Sequence, residues 1–457
     1  MKRFRWVGLV LLAALAAEPA LRALEKQPAA VYHARRVALS GELNGGVAVL
    51  FAAEEPLLDF MPYRQDADFY YLTGWNEPGA ALIVFADGQQ GQTLPTGQNN
   101  IVLTYREILF LPTRDLRMEK YTGVKMDAAT AGAAEAAGVD AVEPMTELPA
   151  VLNGLIDKNR ALARNVWVQP GAPQAKALLG FVAATLGMGE DGVPAHDVTA
   201  MTARLRVVKD AGELELLKKA SVASMDAQRE MMRAVRPDVT ERAVAGKMTA
   251  VWMEEGCERP AYAPIVGSGI NSTTLHYAEN SRTMEDGDIV VVDAACEYSM
   301  YASDITRTVP ANGHFTARQR EIYDIVLGAQ QAAINAFVAG KSTINDRDRR
   351  DPNSLDTVAY NYINTHGKDL DGEPLGKYWL HGLGHMMGIN VHDPAEYPAV
   401  LKPGMVFTIE PGVYIPEEKL GVRIECDFLV GADGKLIDLD KDLPHTAEDV
   451  EAAMRGK

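Results

Sequence analysis

The sequence predicts an α/β domain over residues 24–197 followed by an α+β domain over residues 198–457, the second built on antiparallel hairpins. Three observations predict this. The chain has 457 residues, about three times a typical domain. Its first half alternates β-branched runs with alanine-rich helical segments, the pattern of an α/β sheet. Its second half opens on a long amphipathic segment and then carries two pairs of β-branched runs, each pair joined by a short turn region. With 47% apolar and 23% charged residues, there is material for large cores.

Ahead of the first domain, KRFR (2–5) is basic and WVGLVLLAALAA (6–17) is apolar with small residues at its end. This is the pattern of a signal peptide, taken here as residues 1–23. Cleavage after Ala16 satisfies an A-x-A rule, and Ala23 offers a second site. The apolar run falls short of the roughly 20 residues that span a bilayer. The expectation is an exported protein, periplasmic or extracellular, without stable membrane insertion.

In the first domain, VAVLFAA (47–53), ALIVFAD (81–87), IVLTY (101–105) and ILFLP (108–112) read as strands. Residues 127–137 and 173–186 read as helical. The second domain starts at a D-x-x-E signal, Asp210 and Glu213, related to the capping box. Leu214, Leu217 and Met225 follow at helical spacing, and the run extends to Val235 before Pro237 stops it. A second helix is expected over 240–255. Residues 342–356, rich in charge, Asn and Asp, read as a surface loop. The hairpins are GDIVVVDAACEY (287–298) with YASDITRTV (301–309), and GMVFTIEPGVYI (404–415) with GVRIECDFLV (421–430).

The net charge is −17, which repels phosphate backbones and argues against nucleic-acid partners. The three cysteines, Cys257, Cys296 and Cys426, have neither a zinc spacing nor the even count of a disulfide framework. One disulfide is open to them in an oxidising compartment.

The chemistry lies in acids placed where strands are otherwise apolar. Asp293 ends the run 289–292, and Asp304 sits on the returning strand. Glu410 follows 406–409, and Glu425 lies on its own return strand. Buried carboxylates are costly, and four together raise one another's pKa unless cations neutralise them. Taken singly, each acid would pass as a turn residue or half of an ion pair. Their recurrence in two similar hairpins points instead to a pair of divalent ions. His385, in the glycine-framed stretch HGLGHMMGINVHD (381–393), adds one nitrogen ligand. A set of four carboxylates and one imidazole, without thiolate, favours Mn²⁺ over structural zinc. Two such ions would lower the pKa of a shared water. Cys426 adjoins Glu425, and strand neighbours face opposite ways, so Cys426 is expected to point away from the ions.

At these residues the sequence resembles the Xaa-Pro aminopeptidases, the aminopeptidase P branch of the metallopeptidases with the pita-bread fold. The resemblance is carried by RQDADFYYLTGWNEPGAALIV (64–84), IVGSGINSTTLHYAEN (265–280), DAACEYSMYASDITRTVPANG (293–313), REIYDIVL (320–327), HGLGHMMGINVHD, PGMVFTIEPGVYI and GVRIE, in that order. It spans nearly the whole chain beyond the leader. It implies that Asp293, Asp304, His385, Glu410 and Glu425 hold metal, with Asp304 and Glu425 bridging. It implies that His276, His381 and His392 contact the reacting peptide, that Arg423 and Tyr414 lie beside the metals, and that Glu410 accepts a proton. The implied substrates are peptides with proline at the second position, and the implied assembly is a homo-oligomer, a dimer or tetramer.

Three positions depart from the family pattern. Ala295 stands where glycine is common, Cys426 where an acid is common, and Tyr121 where a tryptophan is often found. A prolidase, restricted to Xaa-Pro dipeptides, shares the fold and ligands and is the nearest rival. A methionine aminopeptidase usually lacks so large a first domain, and creatinase lacks this ligand set. A non-catalytic binding protein on the same fold would be expected to have lost a ligand, and all five are present.

Overall fold

The computed structural model describes residues 24–55, 63–86, 93–96, 99–102, 106–188 and 192–455. The expected signal peptide lies outside the described residues. Among the described residues, no helix is long and apolar enough to cross a membrane.

The amino-terminal half is organised on a six-stranded mixed sheet. Its order is Ala141–Pro144, Glu107–Leu111, Ala81–Phe85, Val47–Phe51, Val166–Val168 and Ala195–Asp197. Val47–Phe51 runs antiparallel to Ala81–Phe85 and parallel to Val166–Val168. Both faces are covered, so these strands are continuous apolar runs rather than alternating ones. Val47, Val49, Ile83 and Ile108 pack against the helices Leu148–Lys158 and Pro173–Thr185. Ala48, Leu50, Leu82 and Val84 face the other way, toward the helices Ala29–Glu42 and Ala67–Thr73. That second core continues into the carboxy-terminal half through Leu217, Tyr301, Met387 and Ile389. Ion pairs add to the join. Arg64 reaches Glu297 at 2.7 Å, and Arg206 bridges Asp68 at 2.7 Å and Asp393 at 2.5 Å.

The long helix Ala211–Ala234 begins where the sequence signalled, with Asp210 and Glu213 forming a reciprocal capping box. Helix Glu241–Glu254 follows and packs beside it. The two hairpins are each broken into an outer and an inner part. Ile289–Asp293 pairs with Thr306–Pro310, while Cys296–Tyr298 pairs with Tyr301–Ala302. Val406–Ile409 pairs with Cys426–Val430, while Gly412–Ile415 pairs with Leu420–Arg423. At each break a buried glutamine from a helix donates to backbone carbonyls on both strands. The Gln228 amide, on Ala211–Ala234, donates to the carbonyls of Ala294 and Ile305 at 3.1 and 2.9 Å. The Gln330 amide, on helix Ala317–Ala336, donates to those of Ile409 and Ile424 at 3.0 and 3.2 Å. The four acids sit at these breaks, next to the carbonyls that the glutamines hold.

The segment 342–356 differs from its expectation as a surface loop. Ser342, Thr343, Ile344 and Ser354 are buried, and helix Leu355–His366 begins within it. Its polar residues satisfy the segment's own backbone. Asp346, for example, accepts from the N–H groups of Arg350 and Asp351 at 2.6 and 2.7 Å.

Cys257 and Cys296 are joined by a disulfide, which ties the end of helix Glu241–Glu254 to the first hairpin. Cys426 is free and buried. Thiol titration of the oxidised protein should therefore find no reactive thiol when folded, one in denaturant, and three after reduction in denaturant. Three reactive thiols without reductant would contradict the pairing.

Candidate metal and active site

The site is a cavity of about 280 Å³ bounded by both hairpins and by the stretch 381–393. The breaks turn Asp293, Asp304, Glu410 and Glu425 toward one another. His385 comes from the glycine-framed segment packed along strand Val406–Ile409. Its N–H donates to Thr408 Oγ1 at 3.1 Å, and its carbonyl accepts the Thr408 N–H at 3.0 Å. Gly384 makes that approach possible, because a methyl at its Cα would sit 2.1 Å from the Thr408 carbonyl oxygen. Gly384→Ala should therefore cost about 1–3 kcal/mol of stability by overpacking and weaken divalent-metal binding at least tenfold, read by thermal melts and metal titration. Wild-type metal affinity in that variant would contradict the argument.

Ligand atoms of Asp293, Asp304 and Glu425 lie within 4.8 Å of one another, and so do those of His385, Glu410 and Glu425. Asp304, His385 and His392 form a third such group. Asp304, His385 and Glu425 each belong to two groups, and Glu425 is the residue common to the Asp293–Asp304 and His385–Glu410 groups. The His385 ring has its Nδ1 3.1 Å from the Met386 carbonyl, an arrangement that places the proton on Nδ1 and leaves Nε2 as donor atom. Nε2 points at Asp304 Oδ2, 3.3 Å away, and at Glu410 Oε1, 3.7 Å away.

The electrostatics show what a cation would relieve. Burial pushes Asp293 above the usual carboxylate range, Arg423 pulls it back, and Asp304 adds to the rise. Burial followed by the charges of Asp304 and Glu410 lifts Glu425 far above its ordinary value. Glu410 is raised by burial to about 8. Burial opposes charge on His385, but Asp304 and Glu410 outweigh it and bring that ring to about 9. Left to itself the cluster holds protons in place of cations, and divalent ions would displace them.

Other predicted residues brace this centre. Arg423 Nη2 donates to Asp293 Oδ2 at 2.6 Å, and its Nη1 donates to the Tyr414 hydroxyl at 2.8 Å. That hydroxyl lies 2.8 Å from His381 Nε2. Burial and then the Arg423 charge lower His381 to about 4, so the ring is neutral at physiological pH. His392 stands edge-on to His385, with ring centroids 4.1 Å apart. His276 lines the cavity on its open side.

Several contributors carried no sequence signal. The Tyr262 hydroxyl lies 2.6 Å from Asp293 Oδ1 and 2.5 Å from Asp304 Oδ1, spanning two carboxylates. Thr306 Oγ1 donates to Glu425 Oε2 at 2.7 Å. Asn345 accepts the Leu383 N–H at 2.8 Å and donates to the Gly384 carbonyl at 2.7 Å, fixing the backbone before His385. Thr306 opens strand Thr306–Pro310 and reads there as an ordinary β-branched strand residue, whereas Tyr262 and Asn345 sit in turn and loop sequence. The departures lie apart from the cavity lining. Ala295 is fully buried and its carbonyl accepts the Ala261 N–H at 3.0 Å. Cys426 points to Arg307, 3.5 Å from its sulfur. Tyr121 is 77% exposed on the amino-terminal half.

Four buried carboxylates and an imidazole gathered in two broken β-hairpins, on a chain that also carries an α/β half, have the donor chemistry of a metallopeptidase centre. Residues 215–432 match metallopeptidase family M24, and residues 32–163 match the aminopeptidase P N-terminal domain. The chain belongs to the Xaa-Pro aminopeptidase family and is a metallo-aminopeptidase, a hydrolase that acts on peptides. It is 32% identical over 454 residues to the Xaa-Pro aminopeptidase of Escherichia coli, covering 93% of this chain and 97% of that one. It is 33% identical over 402 residues to Xaa-Pro aminopeptidase 3 of Mus musculus, covering 85% of this chain and 76% of that one. Among solved structures, proline aminopeptidase P II from Yersinia pestis superposes with a TM-score of 0.79 at 31% identity, covering 94% of this chain and 100% of that one.

Proposed function

We propose that the protein hydrolyses the bond between an N-terminal residue and a proline at the second position, with two divalent ions held by Asp293, Asp304, His385, Glu410 and Glu425. The observation that carries this reading is the overlap of two ligand groups, Asp293–Asp304–Glu425 and His385–Glu410–Glu425, at Glu425. An oxygen-dominated set with one imidazole suits Mn²⁺. Bound there, the ions supply a water of lowered pKa and polarise the scissile carbonyl.

The chain's own residues do the rest. Glu410 borders the cavity and accepts the proton of the attacking water. Neutral His381, its Nδ1–H donating to the Gly382 carbonyl at 2.7 Å and its Nε2 held by the Tyr414 hydroxyl at 2.8 Å, shapes the wall against which the peptide lies without adding a charge that would repel cations. The nitrogen of a proline peptide bond carries no hydrogen, so the leaving secondary amine needs a proton. That proton comes from Glu410 or from His276 or His392, which face the open side. Arg423 holds Asp293 in its ligating orientation.

The decisive assay uses protein lacking residues 1–23, stripped of metal and reloaded with Mn²⁺. It compares release of the first residue from an Xaa-Pro-Xaa tripeptide and from the matching Xaa-Pro dipeptide. Metal-dependent cleavage of the tripeptide supports the proposal. Cleavage of the dipeptide alone would make the protein a prolidase on the same site. Silence on both with metal bound would favour a binding protein. We also propose export after removal of residues 1–23 and assembly as a dimer or tetramer. Fractionation of the expressed full chain and light scattering test these two points.

A further inference from the structure

His276 stands on the open side of the cavity, on the loop between strand Ile265–Ser268 and strand Ile289–Asp293. Among the described residues its side chain has no hydrogen-bond partner. Its place over the site therefore depends on what holds the loop.

Beneath that loop lies Glu241, fully buried at the start of helix Glu241–Glu254. An acid in a helix's first turn commonly serves its own helix. Here Thr240 already fills the capping role, its side chain accepting from the Ala243 N–H at 3.2 Å. The Glu241 carboxylate turns instead to the His276 loop. One oxygen accepts from the Ser268 N–H and Ser268 hydroxyl, both at 2.7 Å, and from the Asn271 amide at 3.2 Å. The other accepts from the Tyr277 hydroxyl and the Arg282 N–H, both at 2.8 Å. All of these donors belong to residues 268–282. The Tyr277 hydroxyl in turn accepts the Ser281 N–H at 3.0 Å, which closes the loop around its midpoint. The loop's ends are held independently. Ser272 accepts the Gly421 N–H at 2.8 Å, and Asn280 bonds to Val266 and Pro264, each at 2.8 Å. Near the middle, the bond nearest His276 is the one from Tyr277 to Glu241.

A buried carboxylate loses its water and is tolerated only when donors replace it. This one gathers its donors from a single loop that contributes Leu275 and His276 to the cavity lining, His276 being the one of the two that can exchange a proton. We propose that Glu241, acting through Tyr277, is a positioning residue that sets His276 over the active site. The inference rests on the proposed role of His276 in peptide cleavage. The local geometry gives it a readout that does not depend on activity.

The test uses Glu241→Gln, Tyr277→Phe and His276→Ala in the Mn²⁺-loaded protein, alone and combined. Tyr277→Phe removes one hydroxyl and spares the other four bonds, so it remains informative where Glu241→Gln does not fold. Expected are a fall in kcat of about tenfold for each positioning variant, KM and Mn²⁺ affinity within about twofold of wild type, and less than about twofold further loss in the His276→Ala background. Equal losses with and without His276 would overturn the proposal, as would a wild-type kcat in both positioning variants. Should the wild-type protein cleave no Xaa-Pro peptide, the functional reading fails. The positioning claim is then decided by carbethoxylation followed by mass spectrometry. The modification rate at His276 should change at least threefold in Tyr277→Phe while that at exposed His314 stays constant, and an unchanged rate at His276 would overturn it.

Discussion

Glu425→Gln should abolish peptide cleavage while making the metal-free protein more stable. Glu425 is almost fully buried, and the carboxylates of Asp304 and Glu410 raise its pKa far above the ordinary range. In the absence of cations the folded chain must keep a proton on this group or carry a charge that burial and its neighbours oppose. An amide of the same shape removes that demand and still accepts the Thr306 hydroxyl, now 2.7 Å from Oε2. The metal-free melting temperature of the variant should therefore exceed that of wild type at pH 8. With Mn²⁺ the order reverses, because Glu425 belongs to both ligand groups that an ion pair would use. Losing it should cost at least ~10³-fold in kcat/KM, about 4 kcal/mol of transition-state stabilisation. It should also remove most of the metal-induced rise in melting temperature. Melts with chelator and with Mn²⁺, beside the tripeptide assay, read all three quantities. Near wild-type cleavage in the variant would sink the shared-ligand reading.

The metal-free protein should lose stability as pH rises from about 6.5 to 9, and added Mn²⁺ should offset that loss. Glu410 goes from an ordinary 4.5 to about 8 on folding, and His385 from 6.5 to about 9. Both native values lie above the unfolded ones, so in this window the folded state binds more protons than the unfolded state. Stability then falls with rising pH, by about 1.4 kcal/mol per pH unit for each proton taken up. His381 acts in the opposite sense. Its native value near 4 means that its contribution is present above 6.5 and is lost as pH falls through 4. It is therefore silent above pH 6.5. Between pH 6.5 and 8 the metal-free melting temperature should drop by several degrees. The stabilisation by Mn²⁺ should grow over the same range, because binding releases those protons. A metal-free melting temperature independent of pH across this window would contradict the raised values.

The candidate ligands could be read before the fold was known because acids recur at matching places in two similar hairpins, although each alone would pass as a turn residue. An acid following a β-branched run, as Asp293 and Glu410 do, is out of place in a buried strand unless something binds it. The cap at Asp210 was equally legible, since a D-x-x-E signal satisfies the N–H groups of its own first turn. The strands at 47–51 and 81–85 were legible as apolar runs. The breaks in the hairpins were not. They depend on Gln228 and Gln330, which reach the strands from helices distant in sequence and look like any polar helix residue. The segment 342–356 was misread for a related reason. Its polar composition suggests solvent, yet Asn345 spends its amide on the backbone of Leu383 and Gly384.

The order of the elements, the four acids and one imidazole that can hold metal, and the family were all legible in the sequence. These follow from local pattern and from motifs in series. Only the packed chain shows that the candidate ligand groups overlap at Glu425, that Tyr262 spans Asp293 and Asp304, and that Glu241 lies under the loop of His276. Those are facts about distance between segments far apart in the chain. Hydrogen bonds and ionic contacts act over a few ångströms, and only the packed fold brings such groups within that range.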